Sequence, residues 1–126
     1  MKTKLLTFII ILSSSLCFAQ TKLADKFFDN YGYVKAIELY EKAVKKGENS
    51  IHVLTRLGDA YYNNSNSEKA AYWYGEALKE SDKIEAEYLY KYIQSLRSIG
   101  NYEEADKWFK ELSATQQGDS RLKGYN

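Results

Sequence analysis

Side chains able to do chemistry are scarce in this sequence. His52 is the only histidine and Cys17 the only cysteine among 126 residues, whereas an active site needs several polar groups converging on one place. No HExxH, GxSxG, GxxxxGK[ST] or EF-hand pattern occurs. His52 falls at the predicted start of a helix, where a capping or surface role suffices. Carboxylate pairs such as Glu103 with Glu104 stand on exposed helix starts, where their charge complements the helix dipole. The inventory predicts no enzyme, no metal site and no cofactor.

The elements that would have to position any site are helices. Proline is absent, the twelve tyrosines and two tryptophans are spread along the chain, and apolar residues recur at intervals of three and four. No stretch alternates long enough for a strand. The clearest segment is LTRLGDAYYNNSNSEKAAYWYGEAL, Leu54 to Leu78. Here Leu57, Gly58, Tyr61, Ala70, Tyr74 and Ala77 fall where two closely crossed helices need them. Gly58 is predicted to let Ala70 and Ala77 approach, with Leu54, Tyr61 and Tyr74 filling the flanks.

This L-G-x2-Y followed by A-x3-aromatic-x2-A spacing resembles the tetratricopeptide repeat. The match recurs: Ala36 to Ala70, Tyr40 to Tyr74 and Ala43 to Ala77 are each 34 residues apart, and Ala70 to Ala105 and Tyr74 to Phe109 each 35. The expected fold is all-α, a tetratricopeptide-type α-solenoid of three helix-turn-helix repeats and six helices, with repeats at about 20–48, 51–82 and 84–115.

In the first repeat Leu23, Ala24 and Phe27 are assigned to the inner stripe and Asn30-Tyr31-Gly32 to the turn. Gly47 ends its second helix, and Asn49 or Ser50 caps the next. In the third, Asp82 with Glu85 and Asn101 with Glu104 have capping-box spacing. Ile93 and Leu112 replace small residues there and are expected to spread that helix pair. Ile37 with Val44 and Ala71 with Leu78 suit a following repeat, whereas Asp106 and Ser113 offer the polar face of a terminal one.

Residues 1–19 read as a secretory signal peptide. Lys2 and Lys4 precede an apolar run from Leu5 to Leu16, and Ala19 offers a small residue at the cleavage point. The run is shorter than the roughly 20 residues of a membrane span, and Leu16 before Cys17 argues against lipidation. Loss of Lys2 and Lys4 from 18 basic residues leaves 16 against 17 acidic ones, and no cysteine. That balance offers no basic footprint for nucleic acid and no polybasic patch for a membrane surface. Residues 116–126 carry no helical stripe and read as tail or linker.

The repeat resemblance implies a concave recognition face on the first helix of each pair. Carried over by repeat, its positions are Asp25, Phe28 and Asp29, then Thr55, Asp59, Tyr62 and Asn63, then Glu87, Tyr90, Gln94 and Arg97. Their aromatic and acidic character would suit a segment with basic and apolar residues. A subgroup of the family clamps a C-terminal carboxylate with Lys, Asn and Arg. Here Thr21, Asp25 and Glu87 stand in those places, and Arg56 and Lys91 alone do not rebuild the clamp. The tyrosines at 31, 33, 61, 72, 74, 88 and 92 are assigned to packing between helices.

Nearly the whole chain, from FAQTKLADKFFDNYGYVKAIELYEKAVKKG through VLTRLGDAYYNNSNSEKAAYWYGEAL to YKYIQSLRSIGNYEEADKWF, also resembles the N-terminal repeat segment of exported OmpA-family envelope proteins of Gram-negative bacteria. That resemblance implies a periplasmic protein-interaction module in an outer-membrane or peptidoglycan-associated assembly. The alternatives are a truncated structural remnant or spacer, and a small-ligand or enzymatic site hidden in the groove.

Overall fold

The computed structural model describes residues 18–115. Within them the regular elements are α-helices, namely α1 over 18–29, α2 Tyr33–Lys45, α3 Ile51–Asn63, α4 Ser67–Glu80, α5 Ala86–Ser98 and α6 Tyr102–Thr115. All but the last two residues of the expected signal peptide, and the whole 116–126 tail, lie outside the described residues. From α2 onward each helix packs on the next and α3 also touches α5, while Asp25 of α1 bonds Tyr40 of α2 and His52 of α3, so the first helices of successive pairs line one face. This is a solenoid of three helix hairpins.

The turns inside the pairs share one construction. Tyr31 (φ 63°), Ser65 (φ 60°) and Gly100 (φ 80°) each take the left-handed conformation just beyond a helix end. The amide after each reaches back to the carbonyl five residues earlier: Gly32 to Phe27 at 2.7 Å, Asn66 to Tyr61 at 2.9 Å, Asn101 to Leu96 at 2.9 Å. This is the Schellman closure, which satisfies carbonyls that the helix end would leave bare. The next residue then starts the second helix. Asn66 Oδ1 accepts from the Lys69 amide at 3.1 Å and Asn101 Oδ1 from the Glu104 amide at 3.4 Å, while Gly32 has no side chain to do so. Gly47 (φ 97°) closes α2 in the same way, and Ser50, not Asn49, caps α3 through Val53.

Neither expected capping box forms in full. Helix α5 begins at Ala86 with Glu85 as its N-cap residue and no side-chain cap bond, so Asp82 lies back in the connecting segment. The carboxylate of Glu104 accepts from the Trp108 indole N–H at 3.0 Å instead of turning back to Asn101.

One apolar core runs from Ala24 to Leu112. Ala36, Ala43, Ala70, Ala77 and Ala105 are fully buried, as their spacing predicts. Gly58 plays a different part from the one expected. What covers it is the ring of Tyr74, and a Cβ at residue 58 would lie 2.5 Å from that ring's Cδ1 and Cε1 atoms. Glycine is there to seat an aromatic ring, and the alanines bury beside it. Edge-to-face contacts carry the core onward from Tyr74 to Tyr92, with centroids 6.5 Å apart, and from Tyr92 to Trp108 at 6.1 Å.

In the third pair the larger Ile93 and Leu112 are buried, and α5 and α6 share a smaller interface than α3 and α4. Asp106 on the terminal helix is exposed. Leu23, assigned to the inner stripe, is instead 46% exposed, because Ala24 takes the inward position beside it. Tyr31 and Tyr72, assigned to packing, are exposed at 81% and 58%, whereas Tyr61, Tyr74 and Tyr92 are buried.

Candidate functional site

The candidate site is the face made by α1, α3 and α5. Its polar side chains are organised by the repeat itself. Asp25 and Asp59, 34 residues apart, each accept a hydrogen bond from a tyrosine hydroxyl on the paired helix: Tyr40 donates to Asp25, and Tyr74 to Asp59 at 2.5 Å. Burial first, and then the neighbouring carboxylate, hold both hydroxyls well above the usual tyrosine pKa, so both stay protonated donors. The equivalent places in the third pair are Gln94 and Phe109, where carboxylate and hydroxyl are lost together.

A second set of contacts ties each pair to the next. His52 Nε2 on α3 lies 2.9 Å from both oxygens of Asp25 on α1, and one turn along, Arg56 reaches Asp29 at 3.3 Å. The Arg56 guanidinium also sits 4.4 Å from the centroid of the Phe28 ring. Lys91 on α5, equivalent to Arg56, repeats the arrangement with Asp59 at 3.2 Å, Glu87 at 3.1 Å and the Tyr62 ring at 5.9 Å. Burial pushes the Lys91 ammonium towards losing its proton, but the two carboxylates outweigh it and its pKa is raised. Arg97 lies 3.6 Å from Asp106 on α6.

The positions carried over from the repeat pattern therefore fall into three groups. Thr55 (2% exposed) and Asp59 (7%) are buried and present little surface; the Thr55 hydroxyl donates to the Ile51 carbonyl of its own helix at 2.6 Å, while Asp59 ties α3 to Tyr74 of α4 and Lys91 of α5. Asp25, Asp29, Glu87 and Arg97 reach solvent but are engaged with this chain's own side chains. Phe28, Tyr62, Tyr90 and Gln94 are half-buried and Asn63 exposed. The face is consequently close to balanced in charge, since Arg56, Lys91 and Arg97 stand among its carboxylates.

Sequence reasoning passed over His52, taken for a cap or surface residue, and treated Arg56 and Lys91 only as clamp remnants. A signal was present: Asp25 and Asp29 precede His52 and Arg56 by the same 27 residues, placing two side-chain contacts to carboxylates one helical turn apart. Among the described residues, no group of three or more His, Cys, Asp or Glu gathers as a metal site would, and no helix is long and apolar enough to cross a membrane. Nor is any buried side-chain nitrogen or oxygen among them left without a hydrogen-bond partner.

The fold defines the class: this is a tetratricopeptide-type α-solenoid of three helix-turn-helix repeats. Solved structures agree. The first tetratricopeptide domain of Spaghetti (RPAP3), bound to the HSP90 peptide SRMEEVD, aligns with a TM-score of 0.71 at 15% identity over 84% of this chain and 83% of that one. The second such domain of human RPAP3, in complex with the HSP70 peptide SGPTIEEVD, gives 0.74 at 15% identity over 87% and 91%. The Sgt2 domain from Aspergillus fumigatus gives 0.67 at 18% identity over 85% and 72%. No protein-family model and no curated protein matches the chain by sequence.

Proposed function

We propose that this chain is a non-catalytic protein-interaction module that holds a protein or peptide segment along the face of α1, α3 and α5. The observation that carries the reading is the row of half-buried aromatic rings on that face, Phe28 and Tyr62 at equivalent places with Tyr90 beyond, on a fold whose solved neighbours hold peptides. The peptides in those neighbours are acidic, but Arg56 and Lys91 are already engaged by Asp29, Asp59 and Glu87. A segment with basic and apolar residues suits this face better, because within those pairs the carboxylates Asp29 (66% exposed) and Glu87 (57%) stand out into solvent where an incoming cation can share them, while Arg56 (27%) and Lys91 (20%) are covered, and the apolar residues pack on the rings. The pattern of residues 1–19 and the likeness to OmpA-family repeat segments support a periplasmic, envelope-associated setting.

The test is an array of blocked peptides varying in charge and aromatic content, probed with the whole chain and with the Tyr62→Ala and Glu87→Lys variants. Preferential retention of basic, aromatic-containing peptides that both variants lose supports the module. The internal pairing of nearly every charge on the face favours a second reading, a structural spacer, for which the array response is flat.

A further inference from the structure

A separate apolar feature sits at the turn between α1 and α2. Tyr31 is 81% exposed there, Val34 is 71% exposed, and with Phe27 and Tyr33 they line an open cavity of about 410 Å³. Tyr33 fixes the wall, meeting Phe28 edge-on at 5.4 Å and Tyr31 at 6.4 Å. Tyr31 holds φ 63°, where the equivalent turns have Ser65 and Gly100. A bulky residue in the left-handed region is strained, and apart from its edge contact with Tyr33 this one is displayed to water. The rim is charged. Lys35 lies 3.2 Å from Glu38, and Glu38 is shared with Lys42 at 3.2 Å, leaving two ammonium groups on one carboxylate.

We propose that this cavity is a docking site, distinct from the helical face, for a short segment of a partner protein in which an aliphatic or aromatic side chain is flanked by a carboxylate. The apolar side chain fills the space between Tyr31 and Val34, and the carboxylate completes the pairing of Lys35. A second copy of the chain would bring an exposed Tyr102 beside Glu103, but a contact confined to one turn is far smaller than the roughly 800 Å² per partner that stable association needs. A short segment anchored by one side chain matches the site.

The test uses the whole chain labelled with ¹⁵N and three blocked tripeptides, Glu-Leu-Glu, Gln-Leu-Gln and Glu-Ala-Glu. Saturable amide shifts confined to the α1–α2 turn are expected for the first, with about tenfold weaker binding for Glu-Ala-Glu through lost apolar burial. Gln-Leu-Gln should be about threefold weaker, the worth of one exposed ion pair. Val34→Glu abolishes the shifts with helix content intact. Tyr31→Gly also abolishes them while raising the melting temperature, since glycine relieves the strained turn. Equal binding of the three peptides, shifts centred on α3 and α5, or a lowered melting temperature for Tyr31→Gly would overturn the proposal. So would self-association that Val34→Glu removes, which would make the occupant a second copy.

Discussion

The ring of Tyr74 occupies the space in which any side chain at residue 58 would begin. A Cβ there would stand 2.5 Å from two ring atoms, and the ring, only 1% exposed, has no room to withdraw. Gly58→Ala should therefore destabilise the protein by about 2–3 kcal/mol despite alanine's better helix propensity. Gly75→Ala places its Cβ 3.4 Å from the Tyr92 hydroxyl, an ordinary contact, and should stabilise by about 0.5–1 kcal/mol. Urea titration of both variants checks the opposite signs; equal effects would remove the ring-seating role from Gly58.

Tyr74 and Asp59 form a unit that the third repeat lacks. Tyr74→Phe leaves a buried carboxylate short of a donor and should cost about 1–2 kcal/mol. Combined with Asp59→Gln, which copies the Gln94 and Phe109 pair of the third repeat, it should cost less than the two single changes added. The expected coupling is about 1 kcal/mol. Strictly additive losses in chemical denaturation would show that the hydroxyl and the carboxylate act independently.

Ser65 takes φ 60° at a turn where the equivalent residue of the next repeat is Gly100. Glycine reaches that conformation without the Cβ penalty, so Ser65→Gly should raise stability by about 0.5–1 kcal/mol. A lowered midpoint in thermal melting followed by circular dichroism would count against it.

Alkali should unfold the domain through its buried tyrosines. Burial first, then Asp25 or Asp59, holds the Tyr40 and Tyr74 hydroxyls well above the ordinary tyrosine pKa of about 10. A group whose folded pKa is raised contributes its full stability below the unfolded value and loses it above. Stability should thus hold up to about pH 10 and decline beyond it. Tyrosinate absorbance from these two residues should develop together with loss of helical signal, and Tyr74→Phe, less stable below about pH 10, should lose stability less steeply above it. Complete tyrosine ionisation with the helices intact would contradict this.

Much of this architecture could be read from residue spacing. The 34- and 35-residue recurrences of alanine and aromatic residues locate the repeats, because each hairpin can bury its apolar stripe only by repeating the contacts of the last. Small residues at Ala36, Ala70 and Ala105 are buried for the same reason. The site was less legible. Listing Asp25, Asp59 and Thr55 as open recognition positions follows from repeat position alone, which says where a Cα lies and nothing about which neighbours reach it. Tyr40, Tyr74, His52 and Lys91 come from other helices, 15 to 32 residues away in sequence, and only their arrival occupies the carboxylates of Asp25 and Asp59.

Local pattern and period, then, were enough to determine helix, hairpin and the number of repeats, since these depend on which residues are small, apolar or able to close a turn. Tertiary packing alone decided that Gly58 seats a tyrosine ring, that Asp25, Asp29 and Asp59 are met by His52, Arg56 and Lys91 from the following repeat, and that Tyr31 and Val34 stay in water. A periodic pattern specifies which side of a helix faces inward. The partner each side chain meets there depends on the offset and separation of helices that are not adjacent in the chain, which no single helix's sequence encodes.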